Sequence, residues 1–214
     1  MAVTLAVMAA ASMVLMSGFR IRTHQNSASD ALADVQRALN IMSREIANAG
    51  YRLNTNGIVP ADSDATHIRI RSNLNAYDST ANSNAQNNIS EAGEDIKYLV
   101  NDASTTDYLV RYDVYAATQK TVLANRLDSL RIHYFKDRVT YTTNNCPVGD
   151  VSVCCDIQNP SSAEVTPGNA KYIVLAVCVR IPASGTRNSS GYVPAYNVLL
   201  VSDVTLRNST LSTY

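Results

Sequence analysis

The first nineteen residues contain no charged side chain, and a polar helical pattern follows them without a break. An apolar stretch of about twenty helical residues matches the roughly 30 Å hydrocarbon thickness of a bilayer. No proline occurs before Pro60, and Gly50 stands where the C-terminus of a helix favours glycine. The sequence therefore predicts one continuous helix from about residue 2 to residue 49, roughly 70 Å long at ~1.5 Å per residue.

The second half of this helix has an amphipathic pattern. Apolar residues recur at intervals of three and four, which places them on one helix face. We predict that this face packs on a β-sheet of the same chain through Leu32, Val35, Leu39, Met42 and Ile46. At about 25 cal/mol per Å² of buried apolar area, the contact would contribute several kcal/mol to folding.

The first half of the helix is apolar on every side, so no single sheet can cover it. Its expected surroundings are lipid or the helices of other subunits, and its alanines together with Gly18 permit close helix–helix approach. We expect residues 1–21 to form a membrane-spanning or filament-core segment, and residues 22–214 to form a globular head that includes the amphipathic helix 22–49. The residues expected to contact membrane or subunits are Val3, Leu5, Val7, Met8, Val14, Leu15 and Phe19.

The remainder of the chain is typical of an antiparallel sheet. Alternating or strand-forming residues predict strands near 67–71, 95–100, 107–115, 120–136, 172–181 and 195–208, with two strands inside 120–136. Residues 172–181 are apolar at nearly every position, which indicates a strand covered on both faces. Residues 72–94 are rich in asparagine and are predicted to form an exposed loop. A long helix followed by an antiparallel sheet is an α+β fold.

The four cysteines follow a spacing that fits no common zinc finger or ribbon. Two disulfide connectivities are open: Cys146–Cys154 with Cys155–Cys178, or Cys146–Cys155 with Cys154–Cys178. Either would tie the loop at 144–170 to a strand in an oxidising compartment. Four reduced thiols, or a metal site built from all of them, are less favoured alternatives.

No catalytic or cofactor-binding pattern emerges from the sequence. His24, His67 and His133 each lack, in the sequence around them, the partner residues of a catalytic nucleophile or general base. Positive and negative side chains balance at 18 each, so nothing points to nucleic acid. We therefore predict a protein that is not an enzyme and uses no cofactor.

Two groups of acidic residues invite a second interpretation. Asp62 and Asp64 resemble a fragment of a calcium loop, but the glycine and glutamate of a full loop are missing, which favours a solvated turn. Glu91, Glu94 and Asp95 are interpreted as loop residues that add solubility rather than as paired catalytic carboxylates.

Four segments together resemble type IV pilin-like proteins, most closely the PilW-type minor pilins and the J-type pseudopilins of type II secretion. They are the apolar start, "ALNIMSREIANAGY" at 38–51, "VLANRLDSLRIHYF" at 122–135 and "VTLRN" at 204–208. The resemblance runs in order along nearly the whole chain. It implies a pilin-like fold and a minor pilin that acts in initiation or tip assembly of a type IV pilus. The implied partners are other pilins and minor pilins, with a possible tip adhesin.

The resemblance also implies a location and a processing history. Such a subunit resides in the bacterial inner membrane and then moves into a cell-surface pilus, with its head periplasmic or extracellular. Family members begin with a leader and a start like Phe-Thr-Leu-x-Glu, which this sequence lacks, so we expect residues upstream of Met1 to be missing. The alternatives are a pseudopilin of a type II secretion system and a membrane-tethered periplasmic binding domain.

Overall fold

The computed structural model describes residues 2–75, 88–101, 107–143, 155–187 and 192–208. In these residues a single α-helix is followed by six strands, which confirms the predicted α+β arrangement. In chain order the elements are α1 (Ala2–Ala47), β1 (His67–Arg71), β2 (Asp95–Asn101), β3 (Asp107–Asp113), β4 (Lys120–Phe135), β5 (Tyr172–Ile181) and β6 (Tyr196–Thr205). The 46 residues of α1 span about 69 Å at ~1.5 Å per residue.

The six strands form one antiparallel sheet in which each strand lies beside its neighbours in sequence, from β1 to β6. The segment 120–136, for which two strands were predicted, contains the single strand β4 (Lys120–Phe135). The first half of β4 pairs with β3, and its second half, from Leu127, pairs with β5. One continuous strand therefore links the two halves of the sheet.

The second half of α1 packs on β4, β5 and β6. Val35, Met42 and Ile46 are fully buried and Leu39 is 5% exposed, whereas Leu32 is only half-buried at the edge of the contact. The buried face also includes three small residues that we did not predict, namely Ala28, Ala31 and Ala38. Their short side chains allow the helix backbone to lie close to the sheet.

Both faces of β5 are covered, as the apolar sequence predicts. Ile173 and Leu175 belong to the apolar cluster under α1. Val174, on the opposite face, packs with Val139 and Ile157 of the connection between β4 and β5. We call the described residues of this connection, 136–143 and 155–171, the cover segment. The head therefore has three layers, which are helix, sheet and cover segment.

The C-terminus of α1 is held by residues distant in sequence. The backbone N–H of Arg207 donates to the carbonyl of Ala47 at 3.1 Å, and the Gly50 N–H donates to Arg71 at 2.9 Å. Gly50 and Gly57 both have positive φ, at 77° and 78°. A Cβ atom at Gly57 would overlap the backbone nitrogen of Gly50, so the close approach of the two segments requires glycine there.

The polar region between β1 and β2 differs from the exposed loop that we predicted. Ser72, Asn73 and Glu94 are buried at its two ends. The asparagine-rich residues 76–87 lie outside the described residues, as does the turn at 102–106. At the end of the chain, residues 195–208 contain the single strand β6.

The location predicted for this chain is corrected by the structure. A helix that crosses a bilayer needs about twenty predominantly apolar residues. Within the part of the chain that the structure describes, no helix combines the length and the apolar character that a crossing requires. The prediction of a subunit anchored in the bacterial inner membrane is therefore wrong.

Candidate subunit interface

The first half of α1 extends beyond the sheet. The helix leaves the head near His24. Nε2 of His24 donates to the carbonyl of Pro182 at 2.9 Å, and the His24 ring lies 6.2 Å from the ring of Tyr196. Val14 and Phe19 beyond this point are 72% and 66% exposed. Among the side chains of this half that the structure describes, the exposed large apolar ones are Met8, Val14, Leu15, Met16, Phe19 and Ile21. We call this set the bare helix surface.

Three other residues predicted for subunit contacts, Val3, Leu5 and Val7, lie in α1, but their side chains are outside the described residues. Of the predicted contact residues, Met8, Val14, Leu15 and Phe19 therefore belong to the bare helix surface.

A shallow groove of about 590 Å³ lies where the bare helix surface meets the head. Leu15, Met16 and Phe19 line it from the helix, Arg20 adds a cationic rim, and Ser184 closes it from the connection after β5. Apolar side chains bordered by polar ones are typical of protein–protein contact surfaces. The groove therefore offers a site for burying an apolar partner surface.

A partly buried polar contact sets the orientation of α1 on the sheet. The Nε of Arg111 on β3 donates to the Glu45 carboxylate at 3.0 Å, and the hydroxyl of Tyr98 on β2 donates to the same carboxylate. Burial, followed by the negative charge of Glu45, raises the pKa of Tyr98 far above its usual range. The hydroxyl thus remains a donor, and the helix is held to two strands at one point.

The acidic residues near β2 are structural. Asp95 is 1% exposed and accepts hydrogen bonds from Nε of Arg69 at 2.7 Å and from Nε of Arg71 at 3.0 Å. Glu94 is also buried, and its carboxylate accepts backbone N–H groups of Asn75 and Glu91 at 3.1 Å. Our interpretation of this cluster as a source of loop solubility is therefore wrong for Glu94 and Asp95, because both carboxylates are enclosed and paired.

Asp62 and Asp64 form a turn stabilised by side chains of this chain. The ammonium group of Lys97 and the guanidinium of Arg69 hold the pKa of Asp62 below its usual value. Oδ1 of Asp64 accepts the backbone N–H groups of Thr66 at 2.6 Å and His67 at 3.0 Å. Both carboxylates are thus engaged by donors of the turn and of β1 and β2.

His133 lies between two carboxylates rather than in isolation. Its Nε2 is 2.5 Å from Oδ1 of Asp156, and its Nδ1 is 2.8 Å from Oε1 of Glu164. Burial opposes protonation, but the hydrogen bonds to the two carboxylates outweigh it and raise the pKa of His133. A protonated ring donates from both nitrogens, so the charge on β4 holds the cover segment at two points.

One disulfide joins Cys155 of the cover segment to Cys178 of β5. This pairing belongs to the first of the two connectivities that the sequence left open, and Cys146 and Cys154 lie outside the described residues. The Asp128 carboxylate and the two sulfur atoms lie within 4.8 Å of one another. Because the sulfurs are bonded to each other, they are not available as thiolate ligands for a metal ion.

No family model, curated protein or solved structure matches this chain. The contacts that the sequence did not predict, at Glu45, Asp95 and His133, are paired charges inside the head. The bare helix surface is instead unpaired and apolar. It is therefore the best candidate for a functional site in the described part of the chain.

Proposed function

We propose that this chain is a minor pilin that acts in initiation or tip assembly of a filament, and that its bare helix surface binds neighbouring subunits. The observation that carries this proposal is the division of α1. The second half of α1 packs on the sheet of the head, while the first half exposes large apolar side chains such as Val14 and Phe19. The sequence resemblance to pilin-like proteins supports the same division, and a type II secretion pseudopilin would use it in the same way.

The energetics of burial favour an association role. Full burial of each large apolar side chain stabilises a complex by about 1.5–3 kcal/mol. Several such residues lie on the bare helix surface, and together they offset the several kcal/mol that association costs in lost rigid-body freedom. The partners that fit this surface are apolar helices of other pilins, and a complex at the filament tip could carry a larger adhesin.

The proposal is tested by placing a charge on the bare helix surface. In cells that lack this protein, we expect full-length Leu15→Glu or Phe19→Glu to reduce filament number by about tenfold or more, because a buried unpaired carboxylate opposes helix contact. Filaments are counted by electron microscopy. The head should melt at the same temperature as the parent, because both side chains are largely exposed.

Gln25→Glu is the matched control, since it adds the same charge at an exposed, polar position of the same helix. Filament number should stay near that of the parent. Normal assembly by both Leu15→Glu and Phe19→Glu would overturn the proposal and favour a binding domain that works on its own. Equal loss with Gln25→Glu would overturn it too, because charge alone would then explain the defect.

A further inference from the structure

A second concave site lies at the far end of the head, roughly 35 Å along α1 from His24 at ~1.5 Å per residue. It is a cleft of about 620 Å³ between the loop that follows α1 and the turn that precedes β5. Its polar lining residues are Asn54, Thr55, Asn56, Asn169, Lys136 and Lys171. Its volume is in the range of sites that hold small organic ligands, about 300–1,000 Å³.

The walls of the cleft are fixed to each other without a ligand. The Asn56 side-chain amide donates to the carbonyls of Pro167 at 2.9 Å and Ala170 at 3.1 Å, and so joins the two loops. Lys171 is anchored through its backbone, since its N–H donates to Phe135 and its carbonyl accepts from Leu206, both at 2.9 Å. A ligand would therefore meet a site whose backbone is already ordered, which lowers the cost of binding.

The charged residues that line the cleft are all positive. Lys136 and Lys171 line it, and no carboxylate is among its lining residues. In the described part of the chain, neither ammonium group has an ion-pair or hydrogen-bond partner, whereas Lys97 is paired with Asp62. Two unpaired cations beside a concave polar surface raise the local concentration of anions.

We propose that this cleft binds a small anion that carries phosphate or carboxylate oxygens. The two ammonium groups supply charge-assisted hydrogen bonds to these oxygens, and the side chains of Asn54, Thr55 and Asn169 form the polar wall beside them. The proposal rests on the cleft alone and is independent of the filament role, because the bare helix surface lies at the other end of the head.

Isothermal titration of the full chain with pyrophosphate and, separately, with citrate tests the site and distinguishes the two oxyanion sources. At low ionic strength we expect saturable 1:1 binding of at least one probe, and binding should weaken as salt is added. Lys136→Gln and Lys171→Gln should each weaken that binding by about tenfold, as expected for loss of one charge-assisted contact.

Two further variants show whether a loss of anion affinity comes from the cleft itself or from a general change in charge or folding. Lys120→Gln removes an exposed lysine at the start of β4 and should leave the affinity unchanged. Lys171→Arg keeps the charge and should bind the anion with an affinity within about threefold of the parent. This result would show that substitution at position 171 does not itself disrupt the fold. The proposal is overturned if neither probe saturates, or if Lys120→Gln weakens binding as much as the two cleft variants do.

Discussion

Single charged side chains join the elements of this protein. Glu45 connects α1 to β2 and β3, Asp95 connects β2 to β1, and His133 connects β4 to the cover segment. Each of these charges has a partner of opposite sign, since an unpaired buried charge costs several kcal/mol. These contacts therefore specify how the layers are oriented.

The His133 contact predicts a defined pH dependence. The folded-state pKa is raised above its usual value of 6.5, so the contribution to stability is complete below that pH and is lost as the pH rises through the raised pKa. We expect His133→Gln to lower the free energy of unfolding by about 2 kcal/mol at pH 6 and by less at pH 9. Urea unfolding of parent and variant at both pH values measures the difference.

Asp156→Asn should show the same trend, because it removes one of the two partners of the imidazolium. A parent–variant difference that stays constant between the two pH values would show that His133 is not charged in the folded protein.

The Glu45 contact predicts a loss of stability without a change of apolar packing. Glu45→Ala leaves the Arg111 guanidinium and the buried Tyr98 hydroxyl without their shared acceptor. We expect a loss of about 2–3 kcal/mol in denaturant unfolding. Arg44→Ala, at the exposed neighbouring position, should stay within about 0.5 kcal/mol of the parent. Similar losses for the two variants would contradict the assigned role.

At the scale of elements, α1 combines two different environments in one helix. Its second half is covered by β4, β5 and β6, and its first half is not covered by the head. β5 shows the complementary case, since α1 lies on one of its faces and the cover segment on the other. In β5 and in the second half of α1, the apolar side chains are those that another layer of the head covers.

Two leucines of α1 test how this coverage varies along the helix. Leu39→Ala removes buried side-chain atoms and should cost about 3 kcal/mol, whereas Leu32→Ala, at a half-buried position, should cost about 1 kcal/mol. Thermal and urea unfolding of the two variants give the comparison. Equal costs would show that the contact extends further toward the N-terminus than the structure indicates.

At the scale of the whole molecule, the head has two ends with different chemistry. The bare helix surface leaves one end, and the lysine-lined cleft opens at the other. Between them, the cover segment is cross-linked to the sheet by the disulfide between Cys155 and Cys178, which are 23 residues apart in sequence. A subunit of this shape can be held at one end and remain accessible at the other.

The disulfide should stabilise the layered head as a whole. Closing a loop of this length restricts the unfolded chain, and its loss is expected to cost about 3 kcal/mol. Urea unfolding of Cys178→Ala, and of the parent after reduction, should show this loss relative to the oxidised parent. An unchanged unfolding midpoint after complete reduction, checked by thiol counting, would contradict the prediction.

The features that the sequence determined by itself are those that depend on local periodicity. Apolar spacing of three and four predicted the long helix, and the unbroken apolar run at 172–181 predicted a strand covered on both faces. These inferences succeed because a repeat of 3.6 or of two residues must match the geometry of the element that carries it.

Tertiary structure alone decided the contacts between distant parts of the chain. Arg111 is 66 positions from Glu45 in sequence, and Tyr98 is 53 positions from Glu45. No local sequence pattern relates residues that are so far apart. Glu94 and Asp95 looked like loop residues because their burial depends on segments that fold over them. The same reason applies to the cysteine pairing and the lysine-lined cleft, since both bring together segments whose separation in space is set only when helix, sheet and cover segment pack.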